Sequence, residues 1–104
     1  MDITLKKVDL NNLYVKASGR LDLDNAVEYG TKIKDFIEDS DDIITDVTLD
    51  FSEITFISSF GLKVILELYK QLKTQEGTLR IKNVPIQLFN SFKMVGFDKF
   101  LLFE

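Results

Sequence analysis

The chain has no cysteine and no histidine among its 104 residues. These absences remove thiol nucleophiles, disulfides, imidazole bases and the usual zinc or iron ligands, and with them most catalytic and metal-site constellations. No Gly-x-x-x-x-Gly-Lys loop is present to cradle nucleotide phosphates, so no cofactor is expected. Basic excess is missing too: 13 Lys and Arg stand against 17 Asp and Glu, a formal net charge of −4. Without a Lys/Arg cluster to override that balance, direct nucleic-acid binding is not expected. Met1 to Asn12 holds no apolar run fit for a signal peptide or a membrane span, which points to a cytoplasmic protein. Proline occurs once and glycine 5 times, as single marks between periodic segments. Neither linker nor repeat is visible, so one domain over residues 1–104 is expected. A composition of 45% hydrophobic and 29% charged residues suits a single core that buries roughly 65% of the unfolded surface.

Hydrophobic periodicity then divides the chain. Ile3 to Val8 reads as a weak strand, Asn11 and Asn12 as a turn. Leu13, Val15 and Ala17, alternating with Tyr14, Lys16 and Ser18, complete a hairpin. After Gly19, Ala26, Tyr29, Ile33, Phe36 and Ile37 share one helical face. Asn25 with Glu28 has the spacing of a capping box, Asp24 is an equally good cap, and Asp39 to Asp42 end the helix. Val47, Leu49 and Phe51 alternate as a strand, and Leu79 to Lys82 repeat the pattern. Between them, from about Phe60 to Gln75, an apolar stripe of Leu62, Ile65, Leu66, Tyr69 and Leu72 predicts a second helix. Strand, helix and strand make a right-handed crossover with parallel strands, Gly77 supplying the turn. A third helix follows Pro85, which suits its first turn. Leu88, Phe89, Phe92 and Val95 share its face and Gly96 sits just past its end. Lys99 to Glu104 add a last strand. Strands alternating apolar and charged residues have one covered face. The expected class is therefore α/β, a mixed sheet with amphipathic helices mainly on one side.

Chemistry concentrates between Leu49 and Lys70, where a strand passes through a short loop into a helix opened by two serines. With Ser58 as N-cap, its hydroxyl accepts from a first-turn N–H, and Ile57 and Leu62 occupy the positions of a hydrophobic staple. With Ser59 as cap, Ser58 and Lys63 would stand there instead and the apolar contact would be lost. Ser58 is thus the better cap, and Ser59 is a hydroxyl with no structural duty at a helix terminus that favours an anion. Phosphate there would interact with the helix dipole by only about 0.3–1 kcal/mol and leave the fold nearly unchanged. In an interface its charge of about −1.5 to −2 would cost several kcal/mol unless a basic partner met it. Capping with no further role is the plain alternative. Gly61 has the plain role of letting the helix start pack close to another backbone, and Phe60 is either core or an exposed contact.

The run from strand through Ser-Ser-x-Gly-Leu into an amphipathic helix resembles the signature of STAS domains, specifically bacterial anti-sigma-factor antagonists. Gly19-Arg20-Leu21-Asp22 resembles that family's turn before the first helix. Leu49-Asp50-Phe51 followed by Phe56 resembles its central strand and loop, and Phe89 to Phe100 around Gly96 its third helix. The family's segment usually reads Asp-Ser-x-Gly-Leu, and the residue after the Asp is phosphorylated by a partner that is both anti-sigma factor and serine kinase. Carried over, that residue is Ser59, with Ser58, which stands in the Asp position, as second choice. The resemblance implies a partner-binding surface of Asp22, Ser58, Ser59, Phe60, Gly61 and Lys63. Phe60 and Lys63 occupy positions where the family often has small residues, and Asp22 is equally a turn former. The chain stops at Glu104, so the family's C-terminal helix is expected to be absent or reduced, with apolar surface open near Phe97, Phe100 and Phe103.

The function implied is a partner switch. The unphosphorylated protein binds an anti-sigma kinase, phosphate on Ser59 blocks that contact, and a serine phosphatase resets it. The protein is then a ligand and a substrate, not an enzyme. One alternative keeps the fold as an unphosphorylated scaffold or transporter-associated subunit. Another, an enzyme, would pair Asp22, Asp50 and Glu53 around the serine loop, but these acids also suit turns and strand edges.

Overall fold

A computed structural model describes all residues, Met1–Glu104. The hairpin forms as predicted: β1 (Asp2–Lys7) pairs antiparallel with β2 (Asn12–Leu21). Its turn is held by the Asp9 carboxylate, which accepts from the backbone N–H groups of Asn11 and Asn12, each at 3.0 Å. There follow α1 (Leu23–Asp39), β3 (Asp46–Ile57), α2 (Ser59–Lys73), β4 (Thr78–Lys82), α3 (Ile86–Met94), a short 3-10 helix (Phe97–Lys99) and β5 (Leu102–Phe103). Strand order is β1-β2-β3-β4-β5, and every pair after the hairpin is parallel. Because β2 to β5 follow one another across the sheet, right-handed connections lay every helix on the same face. Leu13, Val15, Ala17, Val47, Leu49, Leu79 and Ile81 are buried on that side. Tyr14, Lys16, Thr48, Arg80 and Lys82 alternate with them on a polar face that carries no helix. The sheet is mixed and covered on one face, as the alternation of its strands predicts.

Several boundaries differ from those read in the sequence. Neither Asp24 nor Asn25 caps α1. The cap is Asp22, whose carboxylate accepts from the Asn25 N–H at 3.3 Å, while Asn25 reaches back to donate to the Arg20 carbonyl at 2.9 Å. No loop separates β3 from the second helix either, since the strand runs on to Ile57. Its pairing with β2 shifts register between Lys16 and Ser18 and again between Gly19 and Arg20, each time with an extra residue on β3. Each bulge moves the next inward side chain along by a place. Phe51, Ile54 and Ile57 are therefore buried, while Ser52, Glu53, Thr55 and Phe56 face outward.

At the end of α2 the left-handed residue is Glu76, at φ 57°, and not Gly77. Gly77 is needed for space: a Cβ there would stand 1.8 Å from the Thr45 carbonyl oxygen. Pro85 precedes α3 as its N-cap, one place earlier than expected, and Gly96 takes the left-handed position at φ 81°. Val95 does not join the apolar face, because the helix stops at Met94 and leaves it 52% exposed. The expected apolar opening near the C-terminus is covered in part, with Leu102 left 46% exposed beside it. Phe97 is buried and Phe100 and Phe103 pack against the core. Phe92 meets Phe51, Phe97 and Phe103 at ring-centroid distances of 5.8, 6.3 and 5.3 Å, and Phe100 stacks on Tyr69 of α2 at 4.7 Å. Tilted and edge-on contacts of this kind suit aromatic quadrupoles.

Candidate functional site

The parallel strands β2 and β3 end side by side at Leu21 and Ile57, and α1 and α2 start there. Carboxyl ends of parallel strands, where helices begin, collect free backbone N–H groups. Ser58 joins the two segments. Its backbone N–H donates to the Leu21 carbonyl at 3.0 Å and its hydroxyl donates to the same oxygen at 3.1 Å. That hydroxyl also accepts from the Gly61 N–H at 3.1 Å, as an N-cap does. Ser58 is thus fully engaged in joining the end of β2 to the start of α2.

Ser59 is the first residue of α2, is exposed, and makes no side-chain hydrogen bond. The close approach expected at Gly61 is present: a Cβ would fall 2.8 Å from both the Leu21 carbonyl oxygen and Ile57 Cγ1. Gly61 is itself buried, so its part in any surface is to let the start of α2 close on the end of β2. Phe60 is half-buried. With Val27, Gly30 and Val64 it lines a groove of about 450 Å³ between α1 and α2. Lys63 is exposed one turn beyond Ser59, and Asp22 lies next to the Leu21 carbonyl that holds Ser58. The structure therefore gathers Asp22, Ser58, Ser59, Phe60, Gly61 and Lys63 at one end of the sheet.

Arg20 and Phe56, which enter the sequence reading only as parts of the family-like turn and loop, belong to the same end. The Arg20 guanidinium lies 4.1 Å from the centroid of the Phe56 ring. No local pattern announces this contact, because the pairing of Arg20 with Phe56 depends on both bulges of β3.

The three acids that could have formed a catalytic set have separate partners. Asp22 caps α1, and Glu53 pairs with Lys16 at 3.8 Å. Asp50 is 5% exposed and accepts from the Tyr14 hydroxyl, from the Ser52 N–H at 2.9 Å and from Asn83 Nδ2 at 3.5 Å. Burial alone would raise its pKa, but these hydrogen bonds outweigh it and hold the carboxyl at about 2, away from the range of a general acid or base at neutral pH. No group of three or more Asp and Glu residues is placed to hold a metal ion.

A one-sided α/β sheet with an unengaged serine at the head of its central helix defines the class: a small domain with an exposed hydroxyl on a fixed joint. The family model of the STAS domain matches residues 3–104. The chain belongs to the STAS domain family. It is 24% identical over 90 residues to the anti-sigma-B factor antagonist of Bacillus subtilis (strain 168), covering 86% of this chain and 79% of that one. Its fold matches the anti-sigma factor antagonist SpoIIAA in its unphosphorylated form, with a TM-score of 0.78 and 17% identity, over 99% of this chain and 87% of that one. The phosphorylated form of SpoIIAA, from Bacillus, matches at 0.77 and 18% identity, over 99% and 91%. A sulfate transporter family protein from Wolinella succinogenes matches at 0.73 and 15% identity, over 90% and 74%. No helix is long and apolar enough to cross a membrane.

Proposed function

We propose that this protein is an anti-sigma-factor antagonist that works by partner switching in the cytoplasm. Unphosphorylated, it binds an anti-sigma factor that is also a serine kinase. Phosphate on Ser59 releases it, and a serine phosphatase restores the binding form. The observation that carries this reading is the division of labour between the two serines. The Ser58 hydroxyl is consumed by Leu21 and Gly61, whereas that of Ser59 stands free and exposed. Similarity to a protein named as an anti-sigma-B factor antagonist, and to one solved with and without phosphate, supports the same direction. Its role is that of a ligand and a kinase substrate, not a catalyst.

Intact mass and phosphopeptide mapping of the protein from its native host test it, with Ser58→Ala and Ser59→Ala variants in parallel. Phosphate is expected in the parent and in Ser58→Ala, and is lost in Ser59→Ala. Ser59→Asp should weaken binding to the kinase at least tenfold, and equal binding and labelling of all forms would refute the switch. A second reading, a constitutive scaffold or transporter-associated subunit, draws on the likeness to the Wolinella transporter protein and on Ser58, which lacks the family's acidic charge. It predicts no phosphoserine under any growth condition and copurification with membrane or large assemblies.

A further inference from the structure

We infer that Lys63 is the chain's own counter-charge for a phosphate on Ser59, its ammonium turning back along α2 to pair with it. This rests on Ser59 being the phosphoacceptor. Ser59 opens α2 and Lys63 follows one turn later, both exposed. Helical Cα–Cβ bonds tilt toward the N-terminus, so the Lys63 side chain runs back over the turn that Ser59 begins. An anion one turn N-terminal to a cation is also the favourable order for such a pair.

Lys63 is free for this task. The ion pairs of the structure are Lys7 with Asp42, Lys16 with Glu53, and Arg80 with Glu104, so Glu67, one turn beyond Lys63, does not hold it. No acidic residue occupies the first turn of α2 to compete. Among the other charges at this end, Arg20 lies over Phe56, Asp22 caps α1, and Asp24 sits in the first turn of α1. Pairing changes what the mark does. Before phosphorylation the start of α2 presents a cation. Afterwards that cation is drawn onto the phosphate, and a net charge of roughly −1 faces the partner. The switch would thus remove a positive contact as well as add a negative one.

The test uses the full chain with phosphoserine installed at position 59 by genetic encoding, so that no kinase is needed. The ³¹P resonance is titrated in the parent and in Lys63→Gln, Lys63→Arg and Lys70→Gln variants. The second phosphate pKa is expected about 0.3 unit lower in the parent than in Lys63→Gln. Lys63→Arg should restore the parent value, Lys70→Gln should match it, and 1 M salt should erase the difference. Coincident titrations of the parent and Lys63→Gln, or an equal shift in Lys70→Gln, would overturn the pairing. Because the phosphate is supplied synthetically, that result leaves the native acceptor to be decided separately by the phosphopeptide map.

Discussion

Asp50 and Tyr14 form the most consequential polar contact outside the serine site. Asp50 lies on the face of the sheet that has no helix, yet is nearly buried because Tyr14, Ser52 and Asn83 close over it. Its pKa of about 2 lies below the ordinary 3.8, so the folded state favours the ionised form. The resulting stability, about 2 kcal/mol, is present above pH 4 and lost as pH falls from about 4 to about 2. The hydrogen bond to Asp50, followed by burial, pushes Tyr14 up to about 12. Stability from that side is present below pH 10 and disappears between about 10 and 12. The bond between the two contributes to both shifts, alongside Ser52 and Asn83 for Asp50, so Tyr14→Phe should cost about 1.5–3 kcal/mol at pH 7 and shrink, without abolishing, the acid loss of stability, read from urea midpoints across pH. Tyr29 presents the opposite case. It is 1% exposed, its hydroxyl has no partner, and burial together with the charge of Asp50 raises its pKa. Removing an unpaired buried hydroxyl relieves a desolvation penalty, so Tyr29→Phe should stabilise the fold by about 1 kcal/mol in the same urea experiment.

At the scale of elements, α2 and its joint to β2 are the place to probe. Ser58→Ala deletes a cap and a tie to Leu21 and should cost about 1–2 kcal/mol, measured by chemical denaturation. Gly61→Ala should cost about 1–3 kcal/mol, because the new methyl meets the Leu21 carbonyl oxygen, which belongs to the sheet and has little room to retreat. Much of this element was legible in advance. Ile57 and Leu62 in staple positions select Ser58 over Ser59 as cap, and Gly61 follows as the point of close approach. The start of α1 was not, since Asp22, Asp24 and Asn25 are all good caps and only the end of β2 at Leu21 chooses among them. Nor was the full length of β3. Its buried residues after Phe51 fall at Ile54 and Ile57, which breaks strand alternation, and the bulges responsible exist only in relation to β2. The same dependence on a partner strand hid the contact of Arg20 with Phe56, and ring packing among Phe92, Phe97, Phe100 and Phe103 covers part of the surface expected to be open.

For the molecule as a whole, the one-sided arrangement of helices is announced by the alternation of the strands and completed by their order across the sheet and the handedness of crossovers. Phosphate on Ser59 should leave that arrangement untouched. Amide chemical-shift changes on installing phosphoserine are expected to stay within Leu21 to Ala26 and Ser58 to Lys63, with far-ultraviolet circular dichroism unchanged. Shifts spreading to α3 and β5 would contradict this. The reason lies in the Ser58 joint, whose hydroxyl is bound to β2 and α2 at once and leaves its neighbour no purchase on the core. A mark beside such a joint acts as a label and not as a lever: its message is read where it is written. A chain only 17% identical shares this fold over 99% of the present one, so the frame that carries the joint tolerates wide change in sequence.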